Sequence, residues 1–211
     1  MTHPAATGAF AMFRFLTACF CLLPWAAHAA CPTRADLTEG ITLVQNAPHF
    51  RRADFQNTPL GLTETRQNRV GGGLGRSASL YLHGLTPIEE IRPDGTWRHS
   101  YHGDLSQLDR LDVLTQVSLA GTATDNTGQH REFTLHVRFI EQHRYHLKEC
   151  PYVVWSLSHE ITSAGHGPEH LHLDYSPELG IVLSARHLTD DGKVIPVFSY
   201  TWIGTKADIK R

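Results

Sequence analysis

His170, His172 and Asp174 alternate with Leu171, Leu173 and Tyr175, so on an extended chain the two imidazoles and the carboxylate leave the same face. Histidine nitrogens and a carboxylate oxygen are ligands for zinc or copper, provided that three or four of them converge. A hairpin turning around Ser163 to Pro168 sets Glu160 opposite His170 or His172 and puts His166 on the turn, which completes a five-residue polar group. A metal-dependent hydrolase or a metal-binding protein would use that group. The alternative is a solvated hairpin face, which needs polar residues at every second position for no further reason. His143 and His146 also offer two imidazoles, in a stretch expected to be a solvated connection.

Other chemistry is sparse. The chain has no Gly-x-Ser-x-Gly elbow and no His-Glu-x-x-His helix, and His159-Glu160 stands without the second histidine of the zinc-protease motif. A Ser/His/Asp triad is defined by geometry and leaves no linear signature. Residues 71–76, Gly-Gly-Gly-Leu-Gly-Arg, lack the Lys-Ser/Thr of a phosphate loop and are expected to form a mobile loop. Aromatic side chains are the other resource. Tyr81, Trp97, Trp155, Tyr175 and Trp202, with Tyr101, Tyr152 and Tyr200, are enough to line an apolar cavity inside a curved sheet, and the alternative is that they pack as ordinary core.

The elements that must position these residues are strands. Glu132 to Ile140 places Phe133, Leu135, Val137 and Phe139 on one face and Thr134, His136 and Arg138 on the other. Tyr152 to Thr162 repeats the pattern with Val153, Trp155, Leu157 and Ile161, and further strands are expected over Val113 to Ala123, Glu169 to Tyr175, Gly180 to Leu188 and Val194 to Ile203. One apolar and one wet face implies antiparallel pairing, because parallel strands covered on both sides read as continuous apolar runs. Pro93-Asp94-Gly95, Asp125 to Gly128 and Asp191-Gly192 supply the turns. Thr33 can cap a short helix over Arg34 to Glu39 that stops at Gly40, and Asp104 can cap a second carrying Leu105, Leu108 and Leu111. The Asp94-Gly95 and Asp191-Gly192 turns are each preceded by a similar segment, Tyr81 to Leu85 and Tyr175 to Gly180, the trace of a duplicated half.

Arg14, the apolar stretch Phe15 to Trp25 and the small residues ending at Ala30 form the three regions of a cleavable secretory signal over residues 1–30, and Met12-Phe13-Arg14 is a more conventional opening than Met1. The apolar run is shorter than the roughly 20 residues of a transmembrane span, and no second run follows. Cys31 would be the lipid-modified residue of an anchored protein, but His28 stands where that signal needs an aliphatic side chain. Cys19 and Cys21 leave with the leader, so Cys31 and Cys150 remain and pair in an oxidising compartment. The remaining 181 or so residues suit one β-rich domain over 31–211. A formal charge of -2 from 19 basic and 21 acidic residues, interspersed along the chain, argues against a nucleic-acid partner. The 15 histidines make the surface charge sensitive to mild acid.

Cys150-Pro151-Tyr152-Val153-Val154-Trp155, Tyr175-Ser176-Pro177-Glu178-Leu179-Gly180-Ile181-Val182-Leu183 and the Asp191-Gly192 turn resemble the C-terminal part of uncharacterised exported proteins of alphaproteobacteria. The same turn into paired strands is distantly similar to the half-barrels of periplasmic lipoprotein carriers. The first resemblance implies no known activity. The second implies acyl chains held on the concave side of the sheet, with no binding residue carried across. The expected protein is therefore a mainly β, antiparallel, curved, half-barrel or barrel-like domain with short helices and one disulfide. Its expected function is non-enzymatic, periplasmic or secreted binding of an apolar or amphipathic ligand or an envelope partner, without a cofactor.

Overall fold

The computed structural model describes residues 31–70, 73–189 and 191–209; the expected leader, and with it Met12, lies outside them. Alternating and turn-punctuated sequence produces thirteen strands in one antiparallel sheet. They are β1 Ile41–Gln45, β2 Arg51–Thr58, β3 Gly61–Val70, β4 Gly73–His83, β5 Thr86–Arg92, β6 Gly95–His102 and β7 Gln116–Thr124, followed by β8 His130–Leu147, β9 Cys150–Ser163, β10 His166–Ser176, β11 Ile181–Leu188, β12 Val194–Ser199 and β13 Trp202–Thr205. Strands β1 to β12 pair in chain order as a meander, and β13 crosses to the far side of β1. Only Tyr200 and Thr201 separate β12 from β13. Their amides donate to Leu183 O at 3.1 Å and to Val44 O at 2.9 Å, so one short run of chain touches both ends of the strand order without a ladder that would close it.

The expected turns connect β5 to β6, β7 to β8 and β11 to β12. Asp125 Oδ1 alone accepts from the Thr127 amide at 2.8 Å and the Gln129 amide at 3.0 Å, which is why an aspartate opens that turn. Both short helices begin where expected. A 3-10 turn over Arg34–Thr38 ends at Gly40, whose φ of +107° suits glycine. Its cap runs in reverse of expectation, with the Asp36 carboxylate accepting from the Thr33 amide at 2.7 Å and hydroxyl at 2.9 Å. Asp104 Oδ1 accepts from the Ser106 amide at 2.9 Å, and Leu105–Arg110 winds as a 3-10 turn into α1, Leu111–Leu114. That helix displaces the start of the strand expected at Val113 to Gln116. A last turn, α2, spans Lys206–Ile209. Of the loop expected over 71–76, residues 71–72 lie outside the described residues, and Gly73 to Arg76 are not a loop but open β4, in register with Val70 to Gln67.

Two buried clusters fill the fold. The first draws Leu119, Phe133, Leu135, Val137, Leu157 and Leu173 from β7–β10, with Leu108 and Leu111 from the helical insertion. The second gathers Ile41, Leu43 and Phe55 from the first strands, Tyr152 and Val154 from β9, and Leu183, Tyr200 and Ile203 from the end of the chain. Val154 and Trp155 are neighbours and so point to opposite faces, yet both are buried, one in each cluster. The middle of β9 is thus covered on both sides. This corrects the single apolar face expected there, since Val153 is 39% exposed while Val154 is fully buried. The Cys31–Cys150 disulfide, with a Cα–Cα distance of 5.4 Å, ties the start of the domain to β9 beside the second cluster. The segments Tyr81 to Leu85 and Tyr175 to Gly180 meet: a Cβ on Gly84 would stand 2.0 Å from the Gly180 carbonyl oxygen, and Tyr175 Oη is 3.3 Å from His83 Nε2.

Candidate functional site

The five residues expected to share a cation do not converge. His170 stands opposite Glu160, as the hairpin requires, with Nδ1 3.4 Å from Glu160 Oε2. His172 comes opposite Ser158 on β9 and Arg186 on β11. Asp174 is buried and occupied: it accepts from the Ser184 hydroxyl, and Arg186 Nη2 is 3.4 Å and His143 Nε2 3.7 Å from its oxygens. His166 is not on the turn but opens β10 opposite Ser163, with Nδ1 3.3 Å from Ala164 O. Same-face positions along one strand are roughly 6.6 Å apart, so chelation depends on the neighbouring strands, and there a serine and an arginine replace the needed ligands. Among the described residues, no group of three or more His, Cys, Asp or Glu is placed to hold a metal ion.

The opposite, inner face carries the richer chemistry. Phe55, Glu64, Ser79, Glu90 and Trp97 lie directly opposite one another across β2 to β6, so their side chains form one row on one face. Glu64 is 5% exposed. Its Oε1 is 3.0 Å from Arg66 Nε, and its Oε2 accepts from Tyr81 Oη at 2.6 Å. Arg66 Nη2 donates to Ser79 Oγ at 2.9 Å. Burial opposes the charge on Arg66, but the Glu64 carboxylate, together with Tyr81, Tyr200 and Glu90, outweighs it and holds the guanidinium protonated. Burial and the adjacent Glu64 push the Tyr81 hydroxyl well above the usual phenol range, so it remains a donor. Farther along, Glu90 is paired with Arg92 and lies 3.3 Å from His99 Nε2. Burial alone would raise the Glu90 carboxyl; His99 and Arg92 instead hold it below its usual range.

His159, on β9, faces this row from the other side. It is 8% exposed, and burial lowers its pKa from 6.5 to about 4, so the ring is neutral at neutral pH. Between the two walls lies a cavity of about 230 Å³, with Arg51, Glu64, Arg66 and Tyr81 on one side and Leu85, Leu171, Leu173, Val182 and Phe198 on the other. It shares Pro87, Glu90, His159 and Leu171 with a cavity of about 460 Å³ toward the β9–β10 turn, lined further by Trp97, His99 and Tyr101. It shares Arg51, Val197 and Phe198 with a cleft of about 330 Å³ under the β1–β2 loop. The chain of cavities follows the inner face from end to end.

Buried polar side-chain atoms in folded proteins nearly always have a partner. Among the described residues, eight such atoms make no hydrogen bond within the protein; two of them, Arg66 Nε and His99 Nε2, face the Glu64 and Glu90 carboxylates at 3.0 and 3.3 Å, while Arg51 Nε, Asn68 Oδ1 and His159 Nδ1, on residues lining these three cavities, have no such partner. Of the aromatic residues expected at a cavity, Tyr81, Trp97 and Tyr101 line one. Trp155 and Tyr175 do not: they are core, with ring centroids 6.2 Å apart. Trp202 borders a separate shallow cleft with Thr42, Val44 and Arg52. Glu64, Arg66, Glu90, Arg51 and His159 were not foreseen. The only trace of them in the chain is the i, i+2 spacing of Glu64 with Arg66 and of Ser79 with Tyr81, which sets each pair on one face of a strand.

No protein-family model, curated protein or solved structure matches the chain. Function must therefore be argued from the inner face itself.

Proposed function

We propose that the protein is an exported, non-enzymatic binder of an amphipathic small molecule, held along the inner face of the sheet. The observation that carries this reading is a cavity with an apolar wall and an ionic wall, in whose lining Arg51 Nε and His159 Nδ1 are buried without a protein partner. A wholly apolar ligand would strand those atoms, and a wholly polar one would leave Leu171, Leu173 and Phe198 without apolar contact. The larger cavity, at about 460 Å³, is within the roughly 300–1,000 Å³ of small-molecule sites. Export is supported by the signal-like head of the sequence and by the Cys31–Cys150 bond, which an oxidising compartment preserves. The likeness to periplasmic lipoprotein carriers points to the same class of ligand.

Native mass spectrometry of the protein purified without detergent tests the reading. The expected result is a bound small molecule of amphipathic character, released by organic solvent and lost from a Glu64→Leu/Arg66→Met/Tyr81→Phe variant that still folds. Failure to retain any such molecule, together with no thermal shift on adding single-chain amphiphiles, would remove it.

A further inference from the structure

We propose that the ligand's head is an anion, seated between Arg51 and Arg69 in the cleft under the β1–β2 loop, with its apolar chain running inward past Phe198. This rests on the amphiphile reading above and adds the charge of the head and the direction in which the molecule lies.

The three cavities differ in charge. The cleft is lined by Gln45, His49, Arg51, Asn68, Arg69 and Ser199 together with apolar residues, and no aspartate or glutamate is among its lining residues. The inner cavity holds Glu64 beside Arg66, and the far cavity holds Glu90 beside Arg92, with Glu169 as well. Arg66 and Arg92 are thus already neutralised by carboxylates. Among the described residues, neither Arg51 nor Arg69 takes part in an ion pair. The cleft end is therefore the end of the groove where an incoming anion meets cationic charge without competition.

Arg51 is also held in place for the purpose. It begins β2 directly opposite Asn68 on β3, and its guanidinium carbon lies 4.2 Å from the centroid of the Phe198 ring. Stacking on an aromatic face fixes the plane of the fork and leaves its N–H edge available, so little side-chain entropy is lost when an oxyanion binds. Its Nε is buried without a protein partner. Arg69, exposed at the end of β3, also lines the cleft, and its amide donates to Phe50 O at 3.1 Å. Arg51, Val197 and Phe198 line both the cleft and the inner cavity, so the head site opens directly on the apolar wall. The matching ligand is a single acyl or alkyl chain ending in a carboxylate or a phosphate monoester.

The test uses the purified full gene product, stripped of bound molecules by solvent exchange, and four twelve-carbon probes below their micelle concentrations: laurate, dodecyl phosphate, dodecanol and dodecyltrimethylammonium. Acetate and inorganic phosphate serve as heads alone. Calorimetric titration is expected to rank at least one of the two anions about tenfold or more above dodecanol and the cation, the scale of one charge-assisted hydrogen bond. Which anion is preferred tells carboxylate from phosphate. Arg51→Gln/Arg69→Gln is expected to abolish the preference, bringing the two anions to the affinity that dodecanol shows for the same variant. Should the double variant fail to fold, exposed Arg69→Gln alone carries the test, with a weaker preference expected and a smaller salt dependence. Equal binding of dodecanol or the cation, or a preference that survives the substitutions, overturns the anionic head while the amphiphile reading stands. Acetate or phosphate binding as tightly as the long-chain anions overturns the chain's part in it. No binding by any twelve-carbon probe sinks both readings together.

Discussion

Across β7–β11 the inner face buries Leu119, Phe133, Leu135, Leu157 and Leu173, whereas across β3–β6 the same face buries Glu64, Arg66, Ser79, Tyr81 and Glu90. One continuous sheet thus presents an oil-like half and an ionic half to the same interior. The apolar half stabilises the fold through burial, at about 25 cal/mol per Å² of surface removed from water. The ionic half gains little from burial, because desolvation offsets most of the attraction between its charges. Its strands are held by the ladder that joins them in sequence order. A region whose side chains contribute little net stability, yet are buried and partly unpartnered, is where a binding role explains the residues better than folding does.

The largest expected effect does not discriminate between the halves and serves as a reference for both. Replacing Cys31 and Cys150 by serine opens a link across 119 residues and should cost about 4 to 5 kcal/mol in the chain-entropy account. Because the effect acts through the unfolded chain, ligand affinity of the folded protein should be unchanged. Denaturant midpoints and titration of the same samples check both statements.

A sharper test breaks the ionic half alone. Glu64→Ala leaves the Arg66 charge and the Tyr81 hydroxyl without their carboxylate and should cost roughly 3 kcal/mol, the lower end of the range for a buried pair because the Arg66 side chain is 21% exposed. Exchanging all three for apolar residues of similar size, Glu64→Leu/Arg66→Met/Tyr81→Phe, should bring stability back to within about 1 kcal/mol of the parent. If chemical denaturation shows the triple variant to be as weak as the single one, the network is structural and the contrast between the halves fails.

An effect of similar size concerns pH. His159 titrates at about 4 in the folded protein because burial disfavours its charge, against 6.5 when exposed. Between those values the unfolded chain binds the extra proton, so stability is full above about pH 6.5 and falls as pH drops toward 4, by on the order of 3 kcal/mol. Burial holds His83 below its usual value too, which adds loss of the same sign. His159→Leu should flatten much of the slope of melting temperature against pH in this window, and an unchanged slope would show that His159 does not cause it.

The two halves also differed in how far they could be read from the chain. Phe133, Leu135 and Val137 alternate with Thr134, His136 and Arg138, so a period of two was visible and β8 was expected with the right face buried. In β3 both faces are polar: Thr63, Thr65 and Gln67 alternate with Glu64, Arg66 and Asn68, and Glu64 and Arg66 pair on the inner side. Alternation has no contrast there, so β3 left no pattern and Glu64 and Arg66 could not be told from surface residues. Gly73 to Arg76 were hidden for a related reason, since glycine reads as a loop until a partner strand claims its amide. The His170, His172 and Asp174 row was legible as a row, but its cross-strand neighbours were not, and those neighbours decide whether ligands converge.

By itself the sequence determined the hairpin turns that join β5 to β6, β7 to β8 and β11 to β12, the capped helical insertion after Asp104, and the pairing of Cys31 with Cys150. These depend on a few adjacent residues, or on there being a single partner to choose. Only the tertiary structure decided that the charged side of β3–β6 faces inward, that β9 is covered on both faces, and that Arg51 meets Phe198 across the fold. A period of two separates the faces of a strand but does not say which one the curling sheet will enclose. That choice belongs to the whole sheet, whose apolar half drives the curl and carries the ionic half in with it.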